Sequence, residues 1–147
     1  MKINKTFLIA FLIIIIDQIS KFLIRNNIDL NSSISIINNV FHLTYISNTG
    51  SVFGLLKNVA FINIILIVVS FIVIGVLTYY ILKLKDEKSL PIALGLILGG
   101  TIGNLIDRIF FGHVIDFLDF RIWPIFNVAD SAITISIIFL VFYFWKK

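Results

Sequence analysis

The chain has no cysteine, only two histidines, and few charged residues for its length. The missing cysteine excludes disulfides, thiolate catalysis and cysteine-ligated zinc together. His42 and His113 lie far apart and neither falls in a pattern such as H-E-x-x-H, so no metal site and no cofactor are expected. Charged residues make up 14% and hydrophobic residues 59% of the 147 positions. A soluble domain would have about 25% charged and about 45–50% apolar residues. That deficit marks one integral membrane domain, residues 1–147. The net charge of +4 is small, and no basic stripe with interleaved aromatics points to nucleic acid. There is no internal repeat, no phosphate-binding loop, and no small-residue cleavage site after the first apolar run.

What is present is a set of long apolar stretches interrupted by a few polar clusters. Four spans are expected, at about 7–24, 59–82, 90–109 and 127–145, each near the ~20 residues a crossing helix needs. Insertions at about 30–58 and 112–123 join them. Ile34–Ile37 and Val40–Ile46 read as short strands around an Asn38-Asn39 turn. Ser51 to Leu56 reads as one or two turns of helix lying at the interface. Trp123 and Pro124 stand where the last span begins, the tryptophan as an interfacial anchor. Gly95, Gly99 and Gly103 repeat every four residues and put small residues on one face for close helix packing. The fold class is therefore an all-α membrane protein with four transmembrane helices, a small outer-face β-platform and a short interfacial helix.

With four spans both termini share a side. That side carries Lys2, Lys5, Lys83, Lys85, Lys88, Lys146 and Lys147. The positive-inside rule makes it cytoplasmic and turns the two longer insertions outward.

Half of the eight acidic residues fall in the stretch 99–130: Asp107, Asp116, Asp119 and Asp130, together with Asn104, Arg108, Arg121 and Asn127. On the inferred topology these groups converge near one depth, at the outer edge of the hydrocarbon. Asn104, Asp107 and Arg108 share a helical face, as do Asn127 and Asp130. Asn127 with Asp130 also reads as an N-cap and an acidic third residue. If 114–120 is extended, Asp116 and Asp119 point to opposite faces, so only one of them can meet Asp130. Arg121 offers Asp119 a partner on its own strand face, which favours Asp116 without deciding it. In the first span, Asp17 lies roughly 15 Å deep with Lys21 one turn on. That pair is either a structural lock between helices or a functional charge, and the residue types do not choose. Asn48 reads first as a turn residue.

Two carboxylates at an apolar boundary suit one task. Burial and mutual repulsion let a close pair share a proton, so one member takes a proton from water while the other donates to a carbonyl oxygen. A helix N-terminus favours the ionised form, which assigns the charge to Asp130 and the proton more often to Asp116. Ser20 and Lys21, adjacent on a helix, do not face each other and make no serine–lysine dyad. The alternative is a small four-helix transporter or ion-coupled membrane binding protein, which places its carboxylates near the midplane.

Five separated motifs resemble one family: Asp17-Gln-Ile-Ser-Lys21, Tyr45-Ile-Ser-Asn48-Thr-Gly50, Gly99-Gly-Thr-Ile-Gly-Asn-Leu-Ile-Asp-Arg108, Val114-Ile-Asp-Phe117 and Phe126-Asn-Val-Ala-Asp130. In order and over nearly the whole chain, they are similar to the bacterial lipoprotein signal peptidases, or signal peptidase II. Ser51-Val52 departs from the two alanines common in that family. The resemblance implies an intramembrane aspartic endopeptidase of the bacterial inner membrane with its site near the outer leaflet. The catalytic pair would be Asp116 and Asp130. Substrate positioning and support would come from Asp17, Lys21, Asn48, Gly50, Asn104, Asp107, Arg108, Asn127 and Ala129. The implied partner is a prolipoprotein cut just before its diacylglyceryl-modified cysteine, met among membrane lipids by a monomeric enzyme.

Overall fold

The computed structural model describes residues 2–50, 59–83 and 90–146. The expected helical turns at 51–56 and the lysine-rich loop at 84–89 lie outside the described residues. Among the described residues seven elements follow in chain order: α1 (Lys2–Asn27), β1 (Ser33–Ile37), β2 (Phe41–Asn48), α2 (Val59–Lys83), α3 (Leu90–Phe111), β3 (Val114–Asp119) and α4 (Val128–Trp145). All four helices are long and apolar enough to cross a membrane. Most of their apolar side chains point outward: Phe11, Ile19 and Phe22 on α1, Phe61, Val68 and Ile72 on α2, and Ile138 and Phe142 on α4 are all exposed. In water such surfaces would be costly; facing lipid tails they are the stable arrangement.

α3 is the central helix and packs on the other three. Its glycines are why. A Cβ built on Gly95 would sit 2.8 Å from the Thr6 carbonyl oxygen, and one on Gly99 2.7 Å from that of Ala10. On Gly103 it would meet an Asp17 carboxylate oxygen at 2.6 Å. The four-residue glycine repeat is thus the groove that receives α1. Gly100 does the same for α4, with the Ala129 carbonyl oxygen 2.5 Å from the position of a Cβ.

α1 and α2 are joined through a hairpin whose turn contains Asn39 at φ 60, a left-handed conformation that asparagine tolerates. The hairpin and β3 form an antiparallel sheet of order β1-β2-β3. Ser33 pairs with Thr44, His42 with Asp119, Ile46 with Asp116 and Asn48 with Val114. Register irregularities fall between Ser35 and Ile37 and between Leu43 and Ile46. β3 leaves α3 through Gly112, whose φ of 76 lets the chain reverse at once. The sheet is fixed to one end of the bundle by a cluster of Ile24 and Ile28 from the end of α1 with Tyr45, Ile115 and Phe117. That short connection and that cluster bring β3 against the C-terminal half of α1 and α3 and the start of α4.

Candidate active site

The polar side chains named from the sequence meet where the sheet touches the helices. Asp17, Lys21, Asn104, Asp107, Asp116 and Asn127 are all buried. A strongly apolar chain keeps buried polar groups only if they satisfy one another.

Lys21 is the first node. Its Nζ lies 2.8 Å from Asp17 Oδ2, 2.9 Å from Asp107 Oδ2 and 3.0 Å from Asn104 Oδ1. The expected pair with Asp17 is present, and Asp107 from α3 makes it a three-member cluster. Asp17 Oδ1 accepts the Ala129 backbone N–H at 2.9 Å, so α1 satisfies one of the open amides in the first turn of α4. Asp107 accepts the Ile115 amide at 3.1 Å and ties α3 to β3.

The second node is Asn127, the N-cap of α4. Its oxygen accepts the Asp130 amide at 2.8 Å, and the Asp130 carboxylate reaches back to the Asn127 amide at 3.4 Å, a reciprocal capping box. The Asn127 side-chain NH2 donates to Asp116 Oδ1 at 2.6 Å, to Asn104 Oδ1 at 3.1 Å and to the Ile115 carbonyl at 3.3 Å. One residue therefore touches both Asp116 and Asp130. Asn104 Nδ2 donates to Asp130 Oδ1 at 2.8 Å. Asn48 donates to Asp116 Oδ2 at 2.8 Å while its oxygen accepts the Gly50 amide at 2.9 Å. Asn48 is both the turn residue and a site residue, and Gly50, at φ 75, completes that turn. Arg108 donates from Nη1 to the Asn104 carbonyl at 3.4 Å and lies within electrostatic reach of Asp130, Asp116 and Asp107.

Burial pushes the Asp116 carboxyl up to about 7. The Asn48 hydrogen bond opposes the rise, the Asp130 charge adds to it, and the Asn127 bond and the Lys21 charge oppose it. Asp119 behaves differently. Burial works upward, but the hydrogen bonds from Thr44 and the Arg121 amide and the charges of Arg121 and His42 outweigh it and hold the carboxyl below its ordinary value. Thr44 Oγ1 is 2.7 Å from Asp119 Oδ2, and Arg121 Nε is 3.6 Å from the same oxygen. Asp119 is thus spent within the sheet. A groove of ≈ 610 Å³ opens beside Asp130, walled by Phe120, Trp123, Ile125, Phe126, Thr134 and Ile135.

Sequence reasoning missed Gln18, which donates to Asp107 Oδ1 at 3.0 Å and to the Gly103 carbonyl at 3.2 Å. Its place beside Asp17 on an apolar helix was the available signal. It missed Thr44 for want of any local one, and the Ile115 backbone groups carry none.

Fold and site together define a multi-pass membrane protein with a buried centre of aspartates and asparagines where its helices meet a small sheet. Comparison with known proteins supplies the family. The model of the signal peptidase (SPase) II family matches residues 9–146. A lipoprotein signal peptidase of Halothermothrix orenii is 43% identical over 143 residues, covering 96% of this chain and 95% of the relative. One from Moorella thermoacetica is 47% identical over 133 residues, covering 90% of this chain and 87% of the relative. Two solved structures of a bacterial membrane enzyme, determined by the in meso method at 2.3 and 1.9 Å, superpose with TM-scores of 0.85 and 0.86, each at 30% identity. They cover 97% and 98% of this chain, which spans 88% and 94% of theirs. The chain belongs to the signal peptidase II family, and so is a peptidase.

Proposed function

We propose that this peptidase is an intramembrane aspartic endopeptidase that removes the signal peptide from diacylglyceryl-modified prolipoproteins, cutting just before the lipidated cysteine. The observation that carries the reading is the pair of carboxylates Asp116 and Asp130, held by one asparagine and placed in unlike surroundings. Asp130 sits in the first turn of α4, where its carboxylate closes the capping box with Asn127. Asp116 has a carboxyl raised to about 7 by burial, so that, unlike an ordinary carboxylate, it keeps a large neutral fraction at neutral pH. Asp130 takes a proton from water as that water attacks the scissile carbonyl carbon. Asp116 gives its proton to the carbonyl oxygen, forming a neutral tetrahedral intermediate. Collapse returns that proton to Asp116, breaks the C–N bond, and the proton on Asp130 leaves with the new amine.

The remaining residues support this chemistry. Asn48, Asn104 and Asn127 fix the two carboxylates. Arg108 offers donors for a substrate backbone or an ester oxygen. The lysine distribution supports cytoplasmic termini and a site near the outer leaflet, where a lipid-anchored cysteine and a membrane-inserted signal helix would both reach it. The transporter alternative places its carboxylates near the midplane; here Asp116 and Asp130 gather instead where β3 meets the start of α4.

The test is prolipoprotein processing by purified protein in micelles or proteoliposomes. Asp116→Asn and Asp130→Asn are expected to fold and to cleave nothing measurable. Wild-type processing by both would sink the assignment.

A further inference from the structure

Three asparagines surround the two aspartates, and a carboxamide works only when its oxygen and nitrogen face the right way. Each of the three has its oxygen held by a donor. Gly50 N–H holds that of Asn48 at 2.9 Å, and Asp130 N–H holds that of Asn127 at 2.8 Å. For Asn104 the holder is the Lys21 ammonium at 3.0 Å. An ammonium has three hydrogens and no acceptor, so whatever atom of Asn104 faces it must be the oxygen. The nitrogen is thereby turned to Asp130 Oδ1, 2.8 Å away.

We propose that Lys21 is a positioning residue for Asp130, acting through the Asn104 carboxamide. The inference rests on the dyad reading above. Asp17 and Asp107 already compensate the charge of Lys21, so its third contact, to a neutral group, is not needed for that purpose. The other donor to the Asn104 oxygen is a weak substitute. The Asn127 NH2 has two hydrogens and three acceptors, at 2.6, 3.1 and 3.3 Å, of which Asp116 is the nearest and Asn104 only the second. A half-turn of Asn104 would set its NH2 against the ammonium and its oxygen against the Asp130 carboxylate, so two hydrogen bonds become two repulsions. Lys21 does this from a distance. It is 2% exposed and borders a separate cavity of ≈ 250 Å³ with Gln18 and Arg25, not the groove beside Asp130. Its loss should therefore register in turnover and not in substrate affinity.

The experiment is a double-mutant cycle on prolipoprotein cleavage, with kcat and KM measured for wild type, Lys21→Met, Asn104→Ala and the double variant. Folding is checked by size exclusion and thermal unfolding. Each single change is expected to lower kcat by about 10- to 100-fold, the scale of a misplaced catalytic group, with KM little changed. The double variant is expected within about twofold of Asn104→Ala alone, since Lys21 has nothing left to act through. If Lys21→Met does not fold, the cycle is built on the Asp17→Asn and Asp107→Asn pair as its reference, where Lys21→Met leaves no buried charge unpaired and the effect of Asp17 on the start of α4 cancels. Losses that multiply in the double variant, or a Lys21 effect confined to KM, overturn the proposal. Asp116→Asn is assayed alongside: if it cleaves, the dyad reading falls, and if it is inactive while the cycle is additive, only the role given to Lys21 falls.

Discussion

Asp116→Asn should raise the stability of this protein at alkaline pH while abolishing cleavage. Burial lifts the Asp116 carboxyl from 3.8 to about 7 on folding. Well below pH 3.8 the group is neutral in both folded and unfolded chains and contributes nothing. As pH rises, the unfolded chain releases the proton first, so folding becomes less favourable until the folded form also ionises near pH 7. Above that the penalty is constant, and the gap between the two values makes it about 4 kcal/mol. Replacement by asparagine removes the charge and this penalty. It also removes an acceptor. Both Asp116 oxygens accept from asparagine NH2 groups, Asn48 and Asn127, and a carboxamide matches only one of them. An NH2 left facing an NH2 costs about 1–3 kcal/mol. The variant should then be more stable than wild type by about 1–3 kcal/mol at pH 8, equal to it near pH 5–6, and less stable by a similar margin at pH 4. Thermal unfolding in detergent micelles, followed by far-UV circular dichroism and tryptophan fluorescence across pH 4 to 8, reads the difference directly. A difference that is flat with pH, or a variant less stable at pH 8, refutes the claim that Asp116 is ionised at a cost.

The same carboxyl sets a limb in the rate profile: kcat/KM should fall as pH rises through about 7, where Asp116 loses the proton it must donate, and a rate level to pH 9 would remove it as the acid. The value observed belongs to the coupled pair with Asp130. Gly100→Ala should destabilise by about 1–3 kcal/mol and lower cleavage, because its Cβ would lie 2.5 Å from the Ala129 carbonyl oxygen beside Asp130. Gly75→Ala, with nothing within 4 Å of its Cβ, should gain a few tenths to about 1 kcal/mol. Equal thermal shifts in the two variants would discount the close α3–α4 approach. Thr44→Val should cost about 1 kcal/mol above pH 4 through Asp119, with cleavage unchanged. That cost should fade as the pH drops through the depressed Asp119 value, and its persistence at low pH would dissociate Thr44 from that carboxylate.

Local chemistry was legible and rotation was not. The apolar runs gave the four helices, Asn38-Asn39 gave the hairpin turn, and the four-residue spacing gave the Asp17–Lys21 pair. Asp119 and Arg121 do meet, but not as two residues on one strand face: β3 ends at Asp119, and Arg121, at φ 65, bends its amide back onto that carboxylate. What joins distant segments was not readable. α2 and α4 are apolar all round, so no periodicity marks an inward face. On α3 the glycines mark a packing face but not the helix that meets it, so neither the Lys21–Asp107 contact nor the crossing of Gln18 to α3 was announced. The choice of Asp116 over Asp119 was open for a related reason. Strand alternation shows that one of the two must face away, and only the register of β3 against β2 sets Asp119 beside Thr44 and His42 and Asp116 beside Asn48.

In the sequence, Asn127 and Asp130 read either as ordinary helix-start chemistry or as part of a reacting pair. The proposed mechanism needs both, because the cap that starts α4 also holds Asp116 and Asp130. Capping uses the Asn127 oxygen on the Asp130 amide, and that alone forces the Asn127 nitrogen toward Asp116. Capping also directs one Asp130 oxygen back to the Asn127 amide, which leaves the other for Asn104. Asp17 takes the Ala129 amide, so α1 fixes where the helix begins and with it where Asp130 stands. The interactions that start α4 are the same ones that aim its carboxylate. A change that spoils the cap while sparing both aspartates should therefore disable the site as surely as removing one of them.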